Sequence, residues 1–241
     1  MAFVRQRFIK GNLVYWSDTH FKRLVDAFGP DVVKYVNDFT SGPGIDTAFD
    51  SEWTVTRTEA GAGESTVTRI DGSSGFLRLT TDANEDDGIN MQLIGESYEL
   101  TTDQHLYFGV FGITLSEATQ SDFFFGLAIT DTDILGGVTD RIGFEKLDGA
   151  TAVKFMVEKD STETLSASAH TATTSPFDLE FYWDGDTSEL MYFVNGVYIG
   201  TSAVTNLPND EALRLTLQFL AGSTTAKTCD IDKIAVIQIG R

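Results

Sequence analysis

One cysteine, Cys229, occurs in 241 residues, which excludes an internal disulfide and any Cys-rich metal centre. It sits in a strand-like stretch, AKTCDIDKIAVIQI, where a small packing residue is expected rather than a nucleophile. Histidine, the usual general base near neutral pH, is also scarce. None of the three, His20, His105 and His170, has a Ser, Cys or carboxylate partner in a recognisable motif. No apolar run approaches the ~18 residues needed to cross a bilayer. Arg5, Gln6, Arg7 and Lys10 interrupt any signal-peptide core, and no small-residue cleavage site follows. The expectation is a soluble chain made in a cytoplasm, without membrane contact. Phosphate-cradling loops are missing too, because GAG at 61–63 leads into a strand rather than a Lys and a helix.

Basic residues are few and unevenly placed. The formal net charge is −19, yet the opening MAFVRQRFIKGNLVYW carries three bases and no acid. Residues 1–40 hold six Lys/Arg against four Asp, net +2, which leaves 11 bases against 32 acids for 41–241. So acidic a body repels phosphate backbones, and nucleic acid is excluded as its partner. A hydrophobic content of 41% with 12% aromatics suffices for a sizeable core.

A Gly/Pro/Ser cluster, TSGPG at 40–44, reads as a linker dividing the chain. Before it, Phe21, Leu24, Val25 and Phe28, then Val32, Val36 and Phe39, recur at helical spacing, broken at Gly29-Pro30. This predicts a short helical hairpin over 18–39, with Asp18 as cap and Asp31 in the second first turn. Residues 1–17 form an arm ahead of it. The alternative is that FVRQRFIK adds an edge strand to the chain's own sandwich.

Beyond the linker the period becomes two. Leu179, Phe181 and Trp183 alternate with Asp178, Glu180 and Tyr182, and Leu213, Leu215, Leu217 and Phe219 alternate with Arg214, Thr216 and Gln218. Val153, Phe155 and Val157 repeat the pattern, the habit of antiparallel sheets with one wetter face. LYFGVFGITL and DFFFGLAIT are apolar on both faces and belong centrally. Asn195-Gly196 in YFVNGVYIGT predicts a type I′ hairpin, and further turns read at Asp71-Gly72, Gly136-Gly137, Asp148-Gly149 and Asp184-Gly185. About a dozen such strands make one sandwich of 45–241.

Candidate chemistry is thin. Asp178, Glu180 and Asp184 share a strand face, as a glycosidase pair would, but outward acids are what the alternation itself requires. DANEDDG at 82–88 offers Asp82, Asn84 and Asp86 like the start of a calcium loop. It then has Asp87 and Leu93 where such a loop wants Gly and Glu. It reads as a solvated turn, with no metal and no cofactor expected. The Ser/Thr-rich stretch 161–175 reads as a strand edge and loop.

AFDSEWTV, GFLRLTT, GINMQLI, YFGVFGITL, DFFFGLAITD and LEFYWDGDTSELMYFVNGVYIGTS together resemble the concanavalin A-like lectin/glucanase fold in its laminin-G-like branch. The resemblance covers about 45–241 and implies an all-β, antiparallel two-sheet jelly-roll sandwich behind the arm and helical segment. Glucanases of that family use an E-x-D-x-x-E strand, and no catalytic strand of that kind is expected here. The Asp/Asn/Glu/His metal set of legume-type lectins is not placed either. Both departures lead to the expectation that the chain is not an enzyme.

A basic arm on an acidic, Thr/Gly-rich lectin-like sandwich is similar in build to structural proteins of tailed bacteriophages, above all head decoration (cement) proteins. That similarity implies a virion protein on the phage head surface, made in the host cytoplasm and held to the major capsid protein. The docking residues would be Phe3, Arg5, Arg7, Phe8, Lys10, Tyr15, Trp16, Lys22 and Arg23, and a closed homo-oligomer, a trimer by preference, would add avidity. Removing 1–16 is expected to abolish docking and leave a folded domain. The alternative is a carbohydrate-binding module of a phage head or tail fibre, with Tyr182, Tyr192 and Tyr198 stacking on a glycan.

Overall fold

The computed structural model describes residues 4–17, 23–41, 51–71 and 75–240. Among them every regular element longer than a turn is a strand. In chain order these are β1 (Val4–Ile9), β2 (Asn12–Ser17), β3 (Arg23–Phe28), β4 (Val32–Asn37), β5 (Trp53–Thr58), β6 (Thr66–Ile70), β7 (Phe76–Thr80), β8 (Gly88–Leu93), β9 (His105–Leu115) and β10 (Ser121–Ala128). There follow β11 (Arg141–Lys146), β12 (Ala152–Lys159), β13 (Thr162–Thr171), β14 (Phe177–Asp184), β15 (Glu189–Val194), β16 (Val197–Ser202), β17 (Arg214–Ala221), β18 (Thr228–Ile231) and β19 (Lys233–Ile239).

Two antiparallel sheets face each other. One has seven strands in the order β13-β12-β11-β10-β17-β8-β5. The other has nine: β16-β15-β14-β9-β18-β7-β6, with β19 joining β9 and β4 joining β19. The long β9 carries both partners, β19 along His105–Phe111 and β18 at Thr114–Leu115, with Gly112 between them at φ +64°. Phe181 stacks on Phe108 with ring centroids 5.0 Å apart, and Phe155 from the opposite sheet meets it at 5.5 Å. Leu179, Phe181, Trp183, Leu215, Leu217, Phe219, Val153 and Phe155 all join this inner core, on the side the alternation assigns them. Cys229 belongs to it as well, fully buried, and burial pushes its thiol up, away from thiolate chemistry. Asn195 and Gly196 turn the β15–β16 hairpin with φ of +51° and +71°, the positive pair a type I′ turn demands.

The N-terminal forty residues differ from expectation. The predicted helical hairpin is not there: the described part of 18–39 is β3 and β4, while residues 18–22 lie outside the described residues. Val32, Val33 and Val36 are β-branched and stiff at χ1, which favours a strand over a helix. Spacings of three and four among Leu24, Val25 and Phe28 satisfy a helix and a strand pair equally. β4 then finds a long partner, Val32 to Asn37 aligned with Ile239 to Ile234. Of the linker 40–44, only Thr40 and Ser41 are described.

The arm is folded as well. β1 and β2 form a hairpin through Lys10 and Gly11, at φ +47° and +82°, and β3 adds to β2. This three-stranded layer lies on the outer face of the nine-stranded sheet. Val14, Leu24 and Ala27 pack there against Tyr107, Tyr182, Met191, Phe193, Ala235 and Ile237. The chain leaves the layer at Gly29, where a Cβ would stand 2.1 Å from Asn12 Oδ1, so no side chain fits that corner. Asn12, buried, accepts there from the Asp31 N–H at 3.2 Å.

Candidate functional site

The arm residues chosen from sequence lie on this N-terminal layer. Arg5, Arg7 and Phe8 are on β1, all exposed, Phe8 by 74%. The Arg7 guanidinium lies 4.1 Å above the Trp16 ring. Tyr15 meets Phe28, itself 53% exposed, edge-on at 6.2 Å. Lys10 turns back and its ammonium donates to the Asp103 carbonyl. Arg23 opens β3, and Phe3 and Lys22 lie outside the described residues. The layer therefore gathers Arg5, Arg7, Phe8, Tyr15 and Trp16 on one small sheet, not on a free tether.

The carboxylates of β14 do not converge on an open groove. Glu180 is fully buried under the N-terminal layer and accepts from the Tyr107 hydroxyl. Asp178 accepts the Gly112 N–H at 2.9 Å. Only Asp184, at the strand end, borders a cavity. Tyr182 and Tyr192 are buried, the latter stacked on Phe155 at 4.9 Å, so neither is available to stack on a sugar ring.

The acidic turn 82–88 is knitted internally. Its buried member is Asp87, whose two carboxylate oxygens accept from the Ala60 N–H at 2.6 Å and the Asn84 amide at 2.8 Å. Glu59 joins Asp82 and Asp87 in that corner. His20 lies outside the described residues, and His170 is on β13, its ring 4.8 Å from Phe177.

The outer face of the seven-stranded sheet holds a group of acids that pattern reading passed over. A strap, residues 130–138, crosses this face. Asn90 donates to the Asp131 carbonyl, Gln218 accepts from the Leu135 N–H at 2.7 Å, and Arg141 donates to the Ile134 carbonyl at 2.9 Å. The same Arg141 pairs with Glu158 at 2.7 Å and with Glu145 at 3.2 Å, all three buried. Burial raises the Glu145 carboxyl against the pull of Arg141.

Beside the strap is a cavity of about 340 Å³ whose walls include Asp86, Asp122, Asp133, Asp148, Leu135 and Leu147. Asp122 is 6% exposed, and burial pushes its pKa up to about 6, although it accepts the Asp148 N–H. Lys146 beside it is driven down, again by burial, and donates to the carbonyls of Thr119, Ser121 and Leu147. A carboxyl half-protonated near pH 6 among further acids is the equipment of proton transfer or of polar recognition. The local signal was available: S-D-F-F-F places one acid among residues buried on both faces.

Known structures place this geometry. The sandwich is concanavalin A-like. An endo-1,3-β-glucanase from Streptomyces sioyaensis superposes with a TM-score of 0.62, at 13% identity, over 90% of this chain and 100% of that one. The β-glucanase of Bacillus licheniformis gives 0.58 at 15%, over 86% and 98%. A glycoside hydrolase family 16 endo-glucanase from Bacteroides ovatus gives 0.59 at 12%, over 84% and 99%. No family model and no curated protein matches the sequence. The expectation that the chain is not an enzyme is overturned by these neighbours, since the fold is one of glycoside hydrolases. That expectation passed over Glu158-Lys159-Asp160-Ser161-Thr162-Glu163, which has the E-x-D-x-x-E spacing across the β12–β13 hairpin, and motif reading is weaker ground than a shared architecture.

Proposed function

We propose that the protein is a bacteriophage virion component that decorates the head, fastening to the major capsid protein through its N-terminal β-layer. The observation that carries this reading is Phe8, 74% exposed on the same edge strand as exposed Arg5 and Arg7, on a chain of net charge −19. An exposed aromatic on a strand that also carries two guanidinium groups is the composition of an interface anchor, not of a solvated strand. β1 is also the edge of its three-stranded sheet, with β2 on its one paired side. Its outer side can take a strand from a partner, with main-chain bonds giving affinity and Phe8 filling a pocket. The acidic sandwich would face outward, and copies gathered as a trimer at a local three-fold position would add avidity.

The test is binding to heads of the carrying phage that lack the protein. A double variant, Arg5→Glu with Phe8→Ser, should keep the melting temperature and lose at least about tenfold in affinity, the scale of a lost anchor. Undiminished occupancy would sink the reading.

A second reading, glycan recognition, is favoured by the acidic cavity at Asp122 and Asp148 on the sheet outer face. The buried carboxyl of Asp122 and the exposed one of Asp148, beside Leu135 and Leu147, suit sugar hydroxyls and an apolar ring face. Titration with β-glucan oligosaccharides distinguishes the two, since this binding would fail in Asp148→Ala and survive the β1 changes.

A further inference from the structure

A second cavity, also about 340 Å³, lies between the N-terminal layer and the nine-stranded sheet, with Arg7, Trp16, Tyr182, Asp184, Asp186 and Glu189 among its walls. Two of these, Asp184 and Asp186, flank the imidazole of His105, which is wholly buried. The backbone builds this meeting. His105 opens β9 directly opposite Asp184 at the end of β14. At Gly185 the turn presses on Gln104, where a Cβ would lie 2.1 Å from the carbonyl oxygen, and so the chain brings Asp186 back over the ring. The Asp186 N–H donates to Asp184 Oδ1 at 3.1 Å, fixing the two acids to each other.

The ring nitrogens are unequally served. Nδ1 is 2.9 Å from the Tyr182 hydroxyl, a contact that orients the ring, and 3.4 Å from Asp184 Oδ1. Nε2 is buried and has no hydrogen-bond partner, although Asp186 Oδ2 stands 3.4 Å away. An N–H···O bond would close to ~2.9 Å. In the tautomer with Nδ1–H turned to Tyr182, the Nε2 lone pair confronts a carboxylate oxygen, and a cation between them satisfies both. Bonds of ~2.1 Å to a tetrahedral ion place two ligand atoms ~3.4 Å apart, the separation seen here. His105, Asp184 and Asp186 each offer one ligand atom, all within 4.8 Å of one another. Two carboxylates and a neutral imidazole balance a charge of +2.

We propose that His105, Asp184 and Asp186 bind one divalent transition-metal ion, of the zinc type, with its remaining coordination position open to the cavity. An imidazole in the set disfavours calcium and magnesium, which take shells of oxygen. The open position, beneath Arg7, would receive water or an anionic oxygen from a ligand. This inference is independent of the capsid reading, because it uses neither Arg5 nor Phe8.

The test takes the full chain, stripped with EDTA and dialysed, and titrates it with zinc chloride. Bound metal is counted by mass spectrometry, and cobalt(II) serves as a visible-absorbing substitute. One equivalent should bind the native chain and bring out a cobalt band of tetrahedral intensity. Asp186→Asn should weaken that equivalent at least tenfold with an unchanged circular dichroism spectrum, since the Asp186 side chain is 52% exposed and its loss leaves the core intact. His105→Gln should do the same if it folds. Calcium chloride should not compete. Absence of saturable zinc binding in the native chain, or zinc retained in Asp186→Asn at the Glu59, Asp82 and Asp87 corner or elsewhere, overturns the proposal.

Discussion

Replacing Asp122 by Asn should make the protein more stable at neutral pH, and by an amount that depends on pH. Asp122 titrates near 6 in the fold against an ordinary value of 3.8, chiefly because it is buried. A carboxyl raised in this way binds its proton more tightly folded than unfolded. Its contribution to stability is therefore intact below pH ~4 and is lost as pH rises through 6. A shift from 3.8 to about 6, at 1.36 kcal/mol per unit, sets a ceiling of about 3 kcal/mol for the penalty above pH 6. Near pH 4.5 only about 1 kcal/mol of it has developed.

Asn keeps an oxygen to accept the Asp148 N–H, and the change deletes only the charge. Lys146 loses an attractive neighbour, yet it retains the carbonyls of Thr119, Ser121 and Leu147, which reduces the gain without reversing it. The net expectation at pH 7.5 is a gain of about 1–3 kcal/mol, or roughly 2–4 °C of melting temperature per kcal/mol for a chain of this length. Urea unfolding followed by tryptophan fluorescence at pH 4.5, 6 and 7.5 measures the gap between variant and parent. It should widen by about 2 kcal/mol from the lowest to the highest pH. A variant less stable than its parent at pH 7.5, or a gap that ignores pH, would refute the burial argument.

Two further outcomes follow from the packing. Phe181→Ala empties a fully buried site between Phe108 and Phe155 and should cost about 3–5 kcal/mol in urea unfolding, with no change in the fold of what remains. Deleting residues 1–17 removes β1 and β2 and uncovers Tyr182, Phe193 and Ile237, so the truncated chain should bind a hydrophobic dye and aggregate, against the expectation of a soluble remainder; a monomeric, dye-silent product would show the layer to be dispensable.

Where the sequence was legible, one period had no competitor. In FDLEFYWD and ALRLTLQFL the apolar residues fall on every second position, and both strands face the core as read. Asn195-Gly196 was legible for a similar reason, because φ > 0 at two successive positions is a demand few residue pairs meet. Leu24, Val25, Phe28, Val32 and Val36 fit two periods at once, and the choice fell to what each could pair with. β19 offered β4 six aligned partners, while a short helical hairpin would have had only its own weak propensity in Val-rich sequence. Local pattern does not contain that competition; it is decided by a strand at the other end of the chain. The same reasoning explains why His105 looked inert. Alone, it is one imidazole before an apolar run, and Asp184 and Asp186 are two acids in a W-D-G-D turn. Only the register of β9 against β14 sets His105 opposite Asp184, and complete burial then turns an unpaired ring nitrogen from a trivial surface feature into a site that a cation would satisfy.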